Sequence, residues 1–295
     1  MNTSIATADM SIVKGRSLWA DAWQRLKRNK AALVAVALLI LMTLLALFGP
    51  FLSEYEFDEP DYYAETRGPS ISTGHWFGLD SNERDLFVRT LMGGRISLLV
   101  GVVATLVSLL IGVTYGATAG YLGGRVDQVM MRIVDILYAM PFMFFVILLM
   151  VFFGRNIVLI FVAIGAINWL DMARIVRGQT MSLKHKEFVE AAQAYGVSTF
   201  NIIRRHIVPN LLGVVVVYVT LTIPQVILVE SFLSFLGLGV QEPMTSWGAL
   251  VNEGAQEMES APWALAFPAM FLALTLFCFN FIGDGLRDAL DPKDR

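Results

Sequence analysis

A chain of 295 residues that is 56% hydrophobic and 16% charged, with a mean hydropathy of +0.62, holds more apolar surface than a water-soluble domain can bury, so the excess must face lipid. The formal charge of −3 at pH 7 says little in such a protein until it is divided between loops, and no nucleic-acid partner is expected. The single cysteine, Cys278, lies in an apolar run and excludes both a disulfide framework within the chain and a cysteine-based metal site.

The first thirty residues carry Lys14, Arg16, Arg25, Lys27, Arg28 and Lys30 against Asp9 and Asp21, and an apolar run starts directly after Lys30. Segment 1–30 is therefore expected to stay in the cytoplasm. Gly49 and Pro50 are not followed by a small-residue cleavage site, so Ala31 to Phe48 reads as an uncleaved first span and not as a signal peptide. Five further runs follow: Ile96 to Tyr121, Val134 to Phe153, Ile157 to Val176, Leu211 to Phe235 and Pro262 to Ile282. A segment isolated in hydrocarbon must satisfy its own backbone hydrogen bonds, and these runs are too continuously apolar for barrel strands, so each reads as a helix. The expected fold is all-α, a polytopic membrane domain over 31–295 with about six transmembrane helices. The fourth run is uncharged only from Ile157 to Leu170, after which Arg174 can snorkel to the interface. Pro141 and Pro224 lie inside spans, where each frees a carbonyl and makes either a mobile kink in a pore wall or an ordinary packing kink.

Six crossings from a cytoplasmic N-terminus place loops 53–95 and 236–261 outside and loop 172–210 and the tail 284–295 inside, with both termini cytoplasmic. Basic residues agree with this topology: of the 22 Lys and Arg, only Arg67, Arg84, Arg89, Arg95 and Arg155 fall outside, leaving 17 inside. The outer segment from Ser53 is acidic at first and then holds Pro69, Gly74 and Gly78, which suggests an ordered, turn-rich loop. It is too small to capture a solute, so capture would belong to another protein.

The inner segment between the fourth and fifth runs carries the strongest local pattern. Phe188, Ala191, Ala192 and Tyr195 recur at helical spacing, Ser182 is a candidate N-cap, and Glu187 and Glu190 sit in the early turns. Gly196 can then close the helix in the left-handed conformation, Ser198 can cap a second helix, and Pro209 can halt that helix before the next span. Such a hairpin either docks in a cleft of another protein or lies as an amphipathic helix on lipid headgroups.

Glu190-Ala191-Ala192, followed by Gly196 and Pro209, resembles the EAA loop of binding-protein-dependent ABC importers. Arg205-His206-Ile207-Val208-Pro209-Asn210 is similar to the peptide and nickel branch, with His206 at the consensus Ile position and Val208 at the Leu position. Gly78-Leu79-Asp80-Ser81-Asn82-Glu83-Arg84-Asp85 resembles the Gly-Thr-Asp-x-x-Gly-Arg-Asp segment of that branch, with Leu79 and Glu83 replacing the Thr and the second Gly. Phe235 to Gly239 with Ser246-Trp247-Gly248, and Gly283 to Pro292, resemble its outer loop and C-terminal signature. The resemblance implies an ABC importer permease fold with a cytoplasmic coupling-helix hairpin, in the inner membrane of a bacterium. It implies half of a pathway for peptide uptake, oligopeptides first, with dipeptides or nickel as alternatives. A second homologous permease, two cytoplasmic ATPase subunits and an external peptide-binding protein are the implied partners besides membrane lipid. Glu190, Ala191, Ala192, Gly196, His206 and Pro209 are the implied ATPase-coupling residues, with ATP and magnesium held by the ATPase partners and no cofactor in this chain.

None of the six lysines follows a glycine, so a phosphate-cradling P-loop is excluded. His75, His185 and His206 are scattered between both sides of the membrane, which argues against a metal centre or catalytic residues. Within the spans, Asp135 lies three residues after Arg132 and Asp171 three before Arg174, so each either pairs along its own helix or faces the substrate pathway. Glu230, late in the fifth span, either reaches the outer interface or meets the amino terminus of a peptide. A self-sufficient secondary transporter would carry buried charges and paired broken helices in matching halves, a pattern not visible here.

Overall fold

A computed structural model describes residues 18–153 and 157–290. Lys14, Arg16, Asp9 and Arg155 of the charge count, and the residues after Leu290, lie outside the described residues.

Helix α1, Leu18–Arg28, is joined through Asn29 to α2, Lys30–Phe48, whose first turn is capped by Asn29 Oδ1 accepting the Ala32 N–H at 3.1 Å. In α2 the small residues Ala32, Ala35 and Ala46 are buried with Met42, while Val34, Ile40, Leu41 and Leu44 point outward. That inversion of the soluble pattern is expected where lipid is the solvent and helices associate through close backbone approach. After a short 3₁₀ turn, Gly49–Leu52, the chain runs without a helix to Asp85.

Helix α3, Leu86–Leu122, begins ten residues before the expected span at Ile96. The last ten residues of the expected loop 53–95 are therefore helical. Arg89 and Arg95 interrupt the apolar run in the sequence, but each finds partners inside the fold. Arg89 lies 2.8 Å from Asp80 and 3.2 Å from Glu253, and Arg95 donates to the carbonyls of Ala46 and Leu47 at 2.6 Å each. At 37 residues α3 is about 55 Å long, well beyond a hydrocarbon core of about 30 Å.

The expected continuous third span is broken. Helices α4, Gly124–Tyr138, and α5, Phe142–Phe153, meet at 81° across Ala139-Met140-Pro141. Pro141 disfavours the helical conformation of the residue before it, which ends α4 at this point. Pro224, by contrast, sits inside a continuous helix.

Helix α6, Ile157–Leu183, extends seven residues past the expected end at Val176 and packs along α3. The contact uses Gly112, Gly116 and Gly120: a Cβ at 112 would meet the Met172 side chain, one at 116 the Ala173 carbonyl, and one at 120 the Arg177 carbonyl at 2.7 Å. Small residues four apart bring the two backbones together.

The chain continues through α7, Glu187–Ala194, and α8, Thr199–Ile202, then a π-helical turn, Ile203–Ile207, and α9, Val208–Phe235. A short helix, α10, Trp247–Gln256, lies within the expected outer loop 236–261, and α11, Pro262–Leu290, closes the bundle. Residues 284–290 are the last turns of α11 and not a free tail. They pack on the first helices, with Ala22, Leu26, Ala32 and Ala289 in one buried cluster.

Among the described residues, no strand forms and four helical stretches are long and apolar enough to cross a bilayer, Lys30–Leu52, Leu86–Leu122, Thr199–Phe235 and Pro262–Leu290. The bent α4–α5 pair makes a fifth if it is one span.

Candidate functional site

The hairpin is held on the membrane bundle by its own core. Val189 and Ala192 of α7 are buried with Ile202, Ile207, Leu211 and Val215 from the following turns, and with Ala117, Met172 and Val176 of α3 and α6. Gln193 Nε2 donates to Tyr121 Oη at 3.0 Å, tying α7 to the end of α3. A bidentate pair at 2.5 and 2.6 Å joins Arg177 of α6 to Asp127 of α4 beside it. Planar fork-to-carboxylate pairing of this kind fixes orientation as well as distance.

The first turn of α7 differs from the expectation. Ser182 still belongs to α6, where its hydroxyl bonds back to the Gly178 carbonyl at 3.4 Å, and Lys186 is the residue that precedes α7. The end of α7 is as expected. Gly196 has φ +73°, its N–H bonds the Gln193 carbonyl at 2.9 Å, and the Val197 N–H bonds the Ala192 carbonyl at 3.1 Å. This is a Schellman closure, which requires a residue at ease in the left-handed region. Ser198 occupies the N-cap position of α8, although its side chain makes no capping bond.

Pro209 does not halt a helix. It stands in the first turn of α9, and the Val208 N–H bonds the Ile203 carbonyl five residues back. The wider π turn accommodates the proline ring, which would otherwise clash with the carbonyl four residues before it. His206 lies half-exposed in that turn, its carbonyl accepting from Asn210 Nδ2 at 2.6 Å.

Burial divides the expected coupling residues. Glu190 and Ala191 are exposed, together with Phe188, Tyr195 and Phe200, whereas Ala192 is only 7% exposed and packs inward. The inward face is thus Val189 and Ala192. Of the apolar face read from the helical spacing, Phe188, Ala191 and Tyr195 stay exposed and only Ala192 is taken up by the permease core.

Of the pathway candidates, Asp135 pairs with Arg174 of α6 at 2.9 Å across two helices, not with Arg132 along its own. The break at Pro141 folds α4 back towards α6 and makes this possible. Arg174 also lies over the Tyr138 ring at 4.3 Å. The expected Asp171–Arg174 pair is therefore replaced, and Asp171 instead lines a cavity of about 310 Å³ with Leu137, Tyr138, Phe142, Phe145 and Leu170.

Glu230 neither reaches the interface nor opens to a solute in this chain. It is fully buried, with Ser97 Oγ donating to it at 3.0 Å and Ser234 Oγ at 2.7 Å. Ser246 Oγ donates to Ser234 Oγ at 3.1 Å and accepts the Ala249 N–H at 3.2 Å as the cap of α10. The adjacent Trp247 is fully buried, its N–H bonded to Ser97 Oγ at 3.2 Å and its indole N–H to the Thr90 carbonyl at 2.9 Å. Gly248 completes the motif, since a Cβ there would fall within 2.8 Å of the Ser231 carbonyl carbon. Ser97 of α3, Ser234 of α9 and Ser246 before α10 meet only in the fold, and of the three the sequence marked Ser246 alone, within Ser246-Trp247-Gly248.

The loop before α3 is pinned by its own polar contacts. His75 is buried between Asp85, 2.9 Å from Nδ1, and Asp61, 3.2 Å from Nε2, with Tyr55 stacked on its ring at 4.0 Å. Burial pushes the Asp85 carboxyl above its ordinary range, against the opposing bonds from the Val88 N–H and His75. Burial also raises Glu253, with Arg89 opposing. Glu83 takes φ 59°, the left-handed conformation for which the family pattern holds a glycine.

Residues 108–295 match the family described as binding-protein-dependent transport system inner membrane component, and residues 17–69 match the N-terminal TM domain of oligopeptide transport permease C. The chain is 62% identical to the oligopeptide transport system permease protein OppC of Escherichia coli (strain K12) over 283 residues, 96% of this chain and 94% of that protein. It is 58% identical to OppC of Haemophilus influenzae, covering 96% and 91% of the two chains. It is 49% identical to the dipeptide transport system permease protein DppC of Bacillus subtilis, covering 93% and 86%.

Proposed function

This chain belongs to the family of binding-protein-dependent transport system inner membrane components, and from that premise we propose how its parts divide the work of import. It is a non-catalytic permease subunit of an ABC importer for oligopeptides, a multi-pass inner-membrane protein. A second homologous permease completes the pathway, two cytoplasmic ATPase subunits bind ATP with magnesium, and an external peptide-binding protein delivers the solute. Both termini and the α7–α8 hairpin lie in the cytoplasm, with segment 1–30 as a cytoplasmic leader to the permease domain 31–295. Helix α6 is the fourth of the six crossings, its uncharged run from Ile157 to Leu170 ending where Asp171 meets the cavity.

The hairpin is the mechanical joint to an ATPase subunit. The observation that carries this reading is that Glu190 and Ala191 stay exposed beside Phe188 and Tyr195 on a helix whose other side is locked into the permease core. A push on that surface is transmitted through Tyr121 and the Asp127–Arg177 pair to α3, α4 and α6. Gly196, His206 and Pro209 shape the hairpin and do not form its contact surface. Of the pathway candidates, Asp171 is retained because it faces a cavity.

The test is reconstitution of the whole complex in proteoliposomes, with peptide uptake and ATP hydrolysis measured together. Uptake should require the ATPase subunits and the external binding protein. Undiminished uptake by this chain without either would overturn the reading in favour of a secondary transporter.

A further inference from the structure

A groove of about 440 Å³ runs between α2 and α11. Small residues, Ala31 and Ala35 on α2 and Cys278 on α11, leave the space, and Val34, Leu38 and Phe277 form its walls. It lies between two spans and opens sideways, since Val34 is 59% and Phe277 62% exposed, which suits an apolar chain better than water.

One end of the groove is charged. Lys30 lines it, and Lys27 and Arg28 are exposed in the last turn of α1 immediately before it. The apolar side of α1, Ala22 and Leu26, is occupied by Ala289, so the basic side is turned outward. Trp23 lies on that outward side, with Lys27 Nζ 5.1 Å from its ring. Tryptophan beside basic residues at the start of a span is the composition of the headgroup layer. Because only Asn29 separates α1 from α2, these cations are fixed at that depth.

We propose that this groove is a binding site for an anionic phospholipid, with one acyl chain lying between α2 and α11 and the phosphate held by Lys27, Arg28 and Lys30. Lys30 at the mouth of an otherwise apolar slot, with Lys27 and Arg28 exposed in the helical turn before it, complements a ligand with one negative head and a long hydrocarbon tail. A bound lipid would brace α1 and the last turns of α11 against the first span.

The experiment is native mass spectrometry of the full-length chain released from mixed micelles of phosphatidylglycerol and phosphatidylcholine with identical acyl chains. The wild-type chain should retain one lipid and prefer phosphatidylglycerol by at least about tenfold, given the attraction of several basic residues for an anionic headgroup. Replacing all three cations (Lys27→Gln, Arg28→Gln, Lys30→Gln) should bring the preference close to parity while a lipid is still retained. Val34→Trp, and independently Leu38→Trp, should fill the slot and abolish retention of either lipid. All these positions are exposed, so thermal melting in detergent should be unchanged. Equal retention of the two lipids by the wild-type chain, wild-type behaviour of the filled variants, or a polypeptide in place of lipid in the groove would each overturn the proposal.

Discussion

Two neighbouring alanines provide the sharpest test of the hairpin. Ala191 and Ala192 are chemically identical and adjacent, but Ala191 is exposed and Ala192 is packed against Val189, Ile202, Ile207 and Leu211. Ala192→Arg would force a long side chain and an uncompensated charge into the permease's own core, a cost of about 3–5 kcal/mol to the free subunit. Ala191→Arg should leave the free subunit within about 0.5 kcal/mol of wild type, because it touches no buried group. In the complex the order reverses for docking: a charge introduced at a closely packed subunit contact weakens association by roughly a hundredfold or more, the equivalent of about 3 kcal/mol. The assay is threefold: melting of the isolated subunit in detergent, pull-down of the ATPase subunits, and peptide-stimulated ATP hydrolysis in proteoliposomes. Ala192→Arg should lower the melting temperature, and Ala191→Arg should melt normally while losing ATPase subunits and transport. An Ala191→Arg complex that assembles and transports at the wild-type rate would refute the assignment of this face as the joint. An Ala192→Arg subunit as stable as wild type would refute the burial on which the distinction rests.

At Gly196, where nothing lies within 4 Å of a Cβ, Gly196→Val should cost about 1–2 kcal/mol through backbone strain alone, and Gly196→Asn should be nearly silent in the same melting assay. Trp247→Ala empties a fully buried site and removes the bond to the Thr90 carbonyl, so a loss of about 3–5 kcal/mol should be seen as faster proteolysis of the outer loop. Single cysteines at the exposed Ser72 and Ser182, in a Cys278→Ser background, should be labelled from opposite sides of intact cells; labelling of both by an impermeant reagent contradicts the proposed topology. Asp85 is held above its ordinary carboxyl range by burial, so the folded state holds that proton more tightly than the unfolded chain. Its contribution should make the protein less stable as pH rises from the unfolded value through the raised one, then level off. Melting from acid to neutral pH should lose that slope in Asp85→Asn.

The sequence by itself determined that the chain is helical and membrane-embedded, since apolar runs of this length admit few other structures, and it placed the hairpin because Gly196 and the flanking helical periodicity are local signals. It also marked Ser246-Trp247-Gly248 and Glu83 as informative positions without saying why. Only the tertiary structure decided which partners the charges take. Arg89 and Arg95 looked like loop residues because their partners lie on Asp80, Glu253 and the end of α2. Asp135 found Arg174 only because Pro141 turns the chain back, and Glu230 became a buried anchor only because α10 folds over it with Ser246. Local sequence reports the backbone preference of a segment, whereas desolvation and pairing of a charge depend on groups 39 to 164 residues away that the fold brings within about 3 Å.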